Sequence, residues 1–303
     1  MQNVKKETII MAKKKSGSIA VPFLATIFIG LLILGGAVFF IYRHWFKKDD
    51  TPPAPKPRDV KIVSYEDNHT VLFILDEPEQ KCNATFALMR SIPKDRSMLF
   101  LGIPSNTIAV IDDQQQSLKG AYERGGGASA AAFVSDIMGV DVDKYMIFDS
   151  ESFKTTCDKL GCVTYPVDVE ISGMKHDGTP QELNSEQMET FITYSLFPGG
   201  EADRAFRSAH MISYMVNGTE GTYIADNIDN FFNEIINTVE SNITSVDYKD
   251  YKDAIKQLFS QKKQYGNTIA VSVQFEGTSA DNDFIPSDTF IEQIRNQFFS
   301  QGE

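Results

Sequence analysis

The chain has 303 residues, 42% of them hydrophobic, and a net charge of −12, which suits one large domain or two small ones with a buried core. Residues 1–48 hold eight of the 29 Lys and Arg and one of the 41 Asp and Glu, so the remaining chain carries a net charge of −19. That acidity disfavours binding to a nucleic-acid backbone, and three cysteines exclude a disulfide framework and a four-thiolate zinc site.

Residues 18–42 form an uncharged apolar run of 25 residues, which is longer than the roughly 20 needed to cross a bilayer. An aromatic and basic segment follows it, and five lysines precede it against three basic residues just after. This predicts a retained transmembrane helix with residues 1–17 as a cytoplasmic tail. Residues 43–59 are a Pro-rich linker, and 60–303 are predicted to form an extracytoplasmic domain of a single-pass protein of the cell membrane.

The domain begins with strand patterns and continues with helices that alternate with strands. The predicted strands are 60–66, 70–77, 84–92, 97–105, 163–171 and 267–275, the first four joined by hairpin-type turns, and 144–152 is predicted to be a strand followed by a turn. The predicted helices are 118–139, 152–161, 186–197, 202–216, 224–239, 248–259 and 288–299. Strands alternating with helices around one sheet indicate an α/β fold, a three-layer α-β-α domain with a central mixed sheet.

Cys157 and Cys162 flank the predicted end of a helix at Gly161. They could form a disulfide outside the membrane. Two separate small core residues are the favoured interpretation, because a helical pair five residues apart is too distant to bridge.

Common catalytic motifs are missing from the sequence: there is no G-x-S-x-G, H-E-x-x-H, C-x-x-C or Walker loop, and the four histidines are scattered. What remains is a pair of arginines, Arg204 and Arg207, on one predicted helix. Their spacing places both guanidinium groups on one helix face, which suits a diphosphate. The local sequence equally allows two solvated arginines that offset Glu201 and Asp203.

Two longer segments carry a family resemblance. Residues 118–126, LKGAYERGG, match a segment of the type Ile-Asn-x-Ala-Tyr-x-x-Gly-Gly, and residues 139–163 match a second segment that begins Gly-x-x-Ile-Asp-x-Tyr. On these motifs the chain resembles the LytR-CpsA-Psr (LCP) family of cell-envelope proteins of mainly Gram-positive bacteria, over about residues 68–300.

The resemblance implies transfer of a glycopolymer from a polyprenyl-pyrophosphate carrier to peptidoglycan outside the membrane. In that scheme carboxylates hold Mg²⁺ beside the pyrophosphate, arginines clamp it, and the lipid tail lies in an apolar slot in the core. A metal and an arginine fork would neutralise the charge of the leaving group.

Several positions depart from the family pattern. Ala84 stands where a metal-binding aspartate belongs, Ser105 and Asn106 replace an arginine and an aspartate, and Leu196 replaces one of two further arginines that are both missing. The positions retained as expected ligand-binding residues are Arg204, Arg207 and Asp149, with Arg124 as a local cation.

These substitutions predict a catalytically impaired member, because alanine cannot ligate Mg²⁺ and asparagine offers only a neutral carbonyl. Such a protein would need no cofactor and would bind polyprenyl-linked glycopolymer, cell-wall glycan or active family paralogues, but no nucleic acid. The alternative is an active glycopolymer–peptidoglycan phosphotransferase that uses Mg²⁺ and other carboxylates. The candidates for that role are Asp76, Glu77, Asp112 and Asp113.

Overall fold

A computed structural model describes residues 62–76, 83–111, 113–142 and 144–300, without the side chain of Lys263. The predicted tail, transmembrane helix and linker lie outside these residues, as do Glu77 and Asp112. Within the described part of the chain, no helix is long and apolar enough to span a bilayer.

The structure contains short and long strands interspersed with helices. The strands are β1 (His69–Leu75), β2 (Thr85–Ile92), β3 (Ser97–Ile103), β4 (Ile108–Ile111), β5 (Gln114–Ser117), β6 (Lys144–Phe148), β7 (Val163–Pro166), β8 (Pro180–Leu183), β9 (Glu240–Ser241), β10 (Ala270–Val273), β11 (Gly277–Ala280) and β12 (Asp283–Pro286). The helices are α1 (Leu118–Met138), α2 (Ser150–Leu160), α3 (Ser185–Thr193), α4 (Gly200–Gly218), α5 (Gly221–Ile236), α6 (Ser245–Ser260), α7 (Lys262–Tyr265) and α8 (Asp288–Ile294).

Six strands form the central sheet in the order β10-β3-β2-β1-β6-β9. Strands β1, β2 and β3 pair antiparallel in sequence, as the predicted hairpin turns require, whereas β10 and β6 add in parallel to β3 and β1. The expected mixed α/β fold with a central mixed sheet is confirmed.

Alternating side chains bury both faces of this sheet. In β1, Leu72 and Ile74 belong to a core shared with α1 and α8, whereas Val71 joins a second core shared with α4, α5 and α6. Helices therefore cover both faces, in three layers. A third apolar cluster joins α2, α3, α4, β7 and β8 beyond the end of β1.

Three local predictions are wrong. The predicted strand 163–171 ends at Pro166. No strand is found in the described part of 60–66, where Tyr65–Asp67 form a 3₁₀ turn because Ser64 and Asp67 cap each other's backbone. The predicted helix 186–197 ends at Thr193, since the chain turns extended at Tyr194 before Pro198.

Cys157 and Cys162 are both free thiols, as the favoured interpretation predicted, although Cys162 is exposed and so is not a core residue. Burial raises the pKa of the Cys157 thiol to about 12. Cys157 is therefore an apolar packing residue rather than a reactive group.

Gly102, near the end of β3, fixes the position of α4. A Cβ atom at Gly102 would lie 1.9 Å from the carbonyl oxygen of Ala205, so the helix backbone rests directly on the strand. This close approach brings the neighbouring residue Arg204 against the edge of the sheet.

We expect Gly102→Ala to lower the free energy of unfolding by about 1–3 kcal/mol, because the added methyl must push α4 away from β3. Urea denaturation measures the change. The control is Gly218→Ala at the end of the same helix, where a Cβ meets nothing within 4 Å and should be tolerated. Equal stability of the two variants would contradict this account of α4.

Candidate functional site

One edge of the sheet gathers most of the residues that sequence reasoning selected. Leu75 at the end of β1 pairs with Thr85 at the start of β2 and with Phe148 at the end of β6. Phe86 pairs with Ile103, the last residue of β3. Ala84, Asp149 and the segment Pro104–Thr107, which we call the lip, therefore follow or precede these strands at the same edge.

Arg204 is the central group of this site, and its side chain is only 2% exposed. Nε and Nη2 donate to the two carboxylate oxygens of Glu201, at 2.8 and 2.5 Å. Nη1 donates to Thr85 Oγ1 at 2.5 Å and to the Ile192 carbonyl at 3.4 Å, and Nη2 donates to the Ala84 carbonyl at 3.2 Å. These five bonds match the five N–H groups of a guanidinium, so the protein itself satisfies the arginine completely.

Glu201 therefore supplies the anion that faces Arg204. Its Oε1 also accepts a hydrogen bond from the backbone N–H of Ser105 at 3.2 Å, which ties the carboxylate to the lip. The residue lies in the first turn of α4, where the helix dipole favours negative charge. Sequence reasoning offered the Glu201 pairing only for a solvated arginine, whereas the structure shows a buried one.

The lip itself is neutral and enclosed. Asn106 is held in two ways. Its side-chain amide nitrogen donates to the Asn282 carbonyl at 2.7 Å, and its backbone carbonyl accepts from the Phe284 N–H at 3.0 Å. Three lip oxygens are buried without a hydrogen-bond partner: Ser105 Oγ, Asn106 Oδ1 and Thr107 Oγ1. The substituted positions thus offer acceptor oxygens, but no charge.

Helix α1 begins beside the lip, and its first N–H groups are already bonded. Leu118 N donates to the Thr107 carbonyl at 2.9 Å and Lys119 N to the Ser105 carbonyl at 2.8 Å. The Ser117 hydroxyl accepts from Gly120 N at 3.1 Å. A helix N-terminus often binds phosphate through such groups, but here the lip uses them.

Asp76 follows β1 at this edge, and its Oδ2 accepts a 2.8 Å hydrogen bond from the Tyr122 hydroxyl. Burial and the bond to Asp76 raise the pKa of Tyr122 above its usual range, so the phenol stays a donor. Asp113, another carboxylate proposed as a substitute, is exposed in the turn between β4 and β5.

Asp149 and Arg124 form hydrogen bonds with residues close to them in the sequence, and these bonds account for the positions of their side chains. Asp149 is the N-cap of α2: its Oδ1 accepts from the Ser152 hydroxyl at 2.6 Å and from the Ser152 N–H at 2.8 Å. These bonds hold the pKa of Asp149 below its usual value. Arg124 is exposed on α1 and donates to Gln116 Oε1.

Arg207 does not form a fork with Arg204. Its Nε donates to Asp203 Oδ1 at 2.6 Å, and Nη1 and Nη2 donate to the Asp168 carboxylate at 2.5 and 3.3 Å. The guanidinium lies 5.1 Å from the centre of the Phe197 ring. The neighbouring Leu196, at the position of a family arginine, is 75% exposed.

An apolar cavity of about 250 Å³ opens between the sheet and helices α2, α4 and α5. Phe73, Phe100, Met146, Ile212 and Ile235 are among the residues that line it, and Thr85 lies in its wall. Thr85 lines the cavity and its hydroxyl accepts from Arg204, so this one residue connects the cavity wall with the buried arginine. Three of its lining residues, Phe73, Met146 and Ile235, also line a second apolar cavity of about 200 Å³.

The residues at this edge do not fit a catalytic Mg²⁺ ion, which prefers an octahedral set of oxygens that includes carboxylates. Asp76 is engaged by Tyr122, Glu201 is engaged by Arg204, and the lip contributes only neutral oxygens. Within the described ranges, no three His, Cys, Asp or Glu side chains cluster as metal ligands.

Comparisons with known proteins agree on one family. The LytR_cpsA_psr family model matches residues 47–298, which is most of the chain. The chain therefore belongs to the LytR-CpsA-Psr family. The polyisoprenyl-teichoic acid–peptidoglycan teichoic acid transferase TagU of Bacillus mycoides is 24% identical over 265 residues, which are 82% of this chain and 84% of that protein.

Solved structures give the same fold for this LytR-CpsA-Psr protein. A protein of Eubacterium siraeum described as a transcription regulator superposes with a TM-score of 0.67 at 21% identity, covering 77% of this chain and 92% of its own. TagV of Bacillus subtilis superposes with a TM-score of 0.60 at 19% identity, covering 76% and 95%. At these identities the likeness establishes the fold alone.

We expect Arg204→Met to lower the free energy of unfolding by about 3–5 kcal/mol, because it leaves the largely buried Glu201 carboxylate without its cation. Urea denaturation measures it. Arg124→Met, at an exposed site, is the control and should change stability by less than about 0.5 kcal/mol. An Arg204→Met protein as stable as the control would refute the buried pairing.

Asp149 provides a prediction on pH. Its folded pKa lies below the ordinary 3.8, so the stability that its charge contributes is present above that pH and is lost as the pH falls through and below it. Asparagine also caps helices but does not titrate. Measured by urea denaturation, Asp149→Asn should therefore gain stability relative to the unmodified protein on acidification. If the difference in unfolding free energy between the two proteins stayed constant as the pH falls through 3.8, the result would contradict a charged Asp149 cap.

Proposed function

We propose that this protein is a membrane-anchored, extracytoplasmic LytR-CpsA-Psr protein of cell-envelope assembly that binds a polyprenyl-linked glycopolymer without transferring it. The observation that carries the proposal is the internal satisfaction of Arg204, whose five N–H groups all donate to acceptors of the protein. A pyrophosphate would have to break these bonds to be clamped.

Loss of catalysis is supported by the charges that remain at this edge. A leaving pyrophosphate must be neutralised by cations in the transition state. Here Ala84 supplies only its carbonyl, Leu196 is an exposed aliphatic residue, and Arg207 is engaged by Asp168 and Asp203. These groups are thus replaced or already paired, whereas Arg124 donates to the neutral Gln116 amide and has no ion pair with a carboxylate of the described residues.

Binding of a lipid is supported by the apolar cavity. Its walls are aliphatic and aromatic side chains of the sheet and of three helices, which suit a hydrocarbon chain. Thr85 in its wall accepts from Arg204, so a lipid tail inside the cavity would lie next to the sheet edge that holds Arg204. The relatives named TagU act on polyisoprenyl-linked teichoic acid, which carries the same class of lipid as the polyprenyl-linked polymer proposed for this protein.

Residues 18–42 would anchor the protein in the cell membrane and place its acidic domain outside, where envelope polymers are attached. A non-catalytic binder would present its lipid or glycan to active paralogues of the family. The alternative, an active phosphotransferase with Mg²⁺, would have to use Asp76 together with carboxylates other than those engaged by Arg204 and Arg207.

The test uses the full chain in detergent, titrated with geranylgeranyl pyrophosphate with and without Mg²⁺. We expect saturable binding that Mg²⁺ changes by less than about twofold, with no geranylgeranyl monophosphate formed on adding a glycan acceptor, because the described residues hold no set of carboxylates arranged for the metal. Isothermal calorimetry measures binding, and mass spectrometry of the geranylgeranyl monophosphate leaving group measures turnover.

The matched variants are Ile212→Trp, which fills the cavity, and Val246→Trp on the exposed face of α6. The first should abolish lipid binding and the second should preserve it. Metal-dependent formation of geranylgeranyl monophosphate together with a phosphorylated acceptor would establish the active alternative. Failure of the unmodified protein to bind the lipid would rule out a polyprenyl carrier in both the non-catalytic and the active hypothesis.

A further inference from the structure

A separate, polar cavity lies at the opposite edge of the central sheet. It has a volume of about 870 Å³ and is lined by polar and charged side chains, among them Arg90, Asp136, Asp141, Arg295 and Asn296. β1 begins and β2 ends at this edge, where Thr70 pairs with Arg90. The length of β1 separates it from the Arg204 edge by about 20 Å.

Arg90 enters this cavity as a cation without an anion. Its Nη1 donates to Thr70 Oγ1 at 2.9 Å, and its guanidinium carbon lies 5.0 Å from the centre of the Phe299 ring. Its Nε is buried and has no hydrogen-bond partner. No carboxylate of the described residues forms an ion pair with it, and burial lowers its pKa. An unpaired, partly buried charge is unfavourable until an anion reaches it.

Arg295 approaches the same cavity from another element. It begins the π-helical turn Arg295–Phe299 that follows α8, and such turns are frequent at functional sites. Its Nη1 lies against Gly139 at the C-terminal end of α1, where a Cβ would be only 2.8 Å away. Like Arg90, it is not ion-paired with any carboxylate that the structure describes.

The other lining residues indicate which further groups a ligand beside these arginines would meet. Asp136 and Asp141 are exposed at the rim, and Asn296 adds an exposed amide, so carboxylate and amide oxygens are available to accept from hydroxyl groups. The Tyr65 and Phe299 rings also line the cavity. The volume is in the range of about 300–1,000 Å³ that suits a ligand of the size of a small oligosaccharide.

We propose that this cavity binds an acidic saccharide, whose carboxylate or phosphate group is held by Arg90 and Arg295 and whose hydroxyl groups are held at the rim. The assignment is independent of the lipid proposed above. It gives the protein a glycan site at the edge of the sheet that lies away from the apolar cavity.

The test titrates the full chain in detergent with cellobiouronic acid, with cellobiose as the neutral counterpart, and with inorganic phosphate. We expect the acid to bind roughly tenfold or more tightly than either, since only it offers both the anion and the hydroxyl groups. A glucose 1-phosphate titration shows whether a phosphate can replace the carboxylate. Equal affinity for cellobiose and its acid would overturn the anion site, and equal affinity for phosphate alone would overturn the saccharide.

Arg90→Gln and Arg295→Gln should each weaken binding of the acid roughly tenfold, the scale of a lost charge-assisted hydrogen bond. Arg96→Gln is the control, an arginine of the same edge that stacks on Tyr265 and does not line this cavity. Since Arg295 is exposed, its variant tests the site even if Arg90→Gln fails to fold. Unchanged affinity in Arg295→Gln would overturn the assignment.

Thermal unfolding provides a separate readout. The acid should raise the melting temperature of the unmodified protein and of Arg96→Gln, but not that of Arg90→Gln or Arg295→Gln. Ile212→Trp, in the apolar cavity, should retain the full shift, which distinguishes failure of this site from failure of lipid binding. A melting shift of the same size in all variants would contradict the proposal.

Discussion

The pairing of Arg204 with Glu201 is the interaction on which the candidate site depends. A guanidinium that is 2% exposed would be strongly unfavourable without a compensating anion, and Glu201 provides it from one turn earlier in the same helix. The remaining donors of Arg204 reach the start of β2 and the end of α3, and Glu201 reaches the lip after β3. One ion pair thus joins four segments, and it does so without a ligand.

The consequence extends over the whole edge of the sheet. Because Glu201 occupies the arginine and the lip carbonyls occupy the first N–H groups of α1, both of the usual protein anchors for phosphate are used internally. The close contact of Gly102 with Ala205 keeps α4 in place, so the arrangement is part of the fold. The apolar cavity, which Thr85 also lines, lies next to this arrangement. This internal use of the phosphate anchors is the basis on which we propose a binding role without transfer.

Arginines at the two edges of the sheet show how burial and pairing separate structure from recognition. Arg204 has an acceptor for every N–H, and its role is explained by the protein alone. Arg90 has one hydrogen bond, one aromatic contact and a buried Nε without a partner, and it borders a large polar cavity. The same residue type thus acts as a structural cross-link at one edge and as an open cation at the other. The sequence analysis selected Arg204 and overlooked Arg90, because neither burial nor ion pairing can be determined from one amino-acid sequence.

The sequence by itself determined the family, the mixed α/β fold and the hairpin order β1-β2-β3, because periodic apolar residues and two long motifs depend only on neighbours along the chain. It also located Ala84, Ser105, Asn106 and Asp149, whose placement at one sheet edge follows from the strands they border. It left open whether Arg204 and Arg207 were a fork or a pair of solvated charges. Only the tertiary structure decided that Arg204 is buried against Glu201 and Thr85, since that depends on how closely α4 approaches β3 at Gly102. The apolar cavity and the unpaired Arg90 were decided in the same way, by packing between segments far apart in sequence.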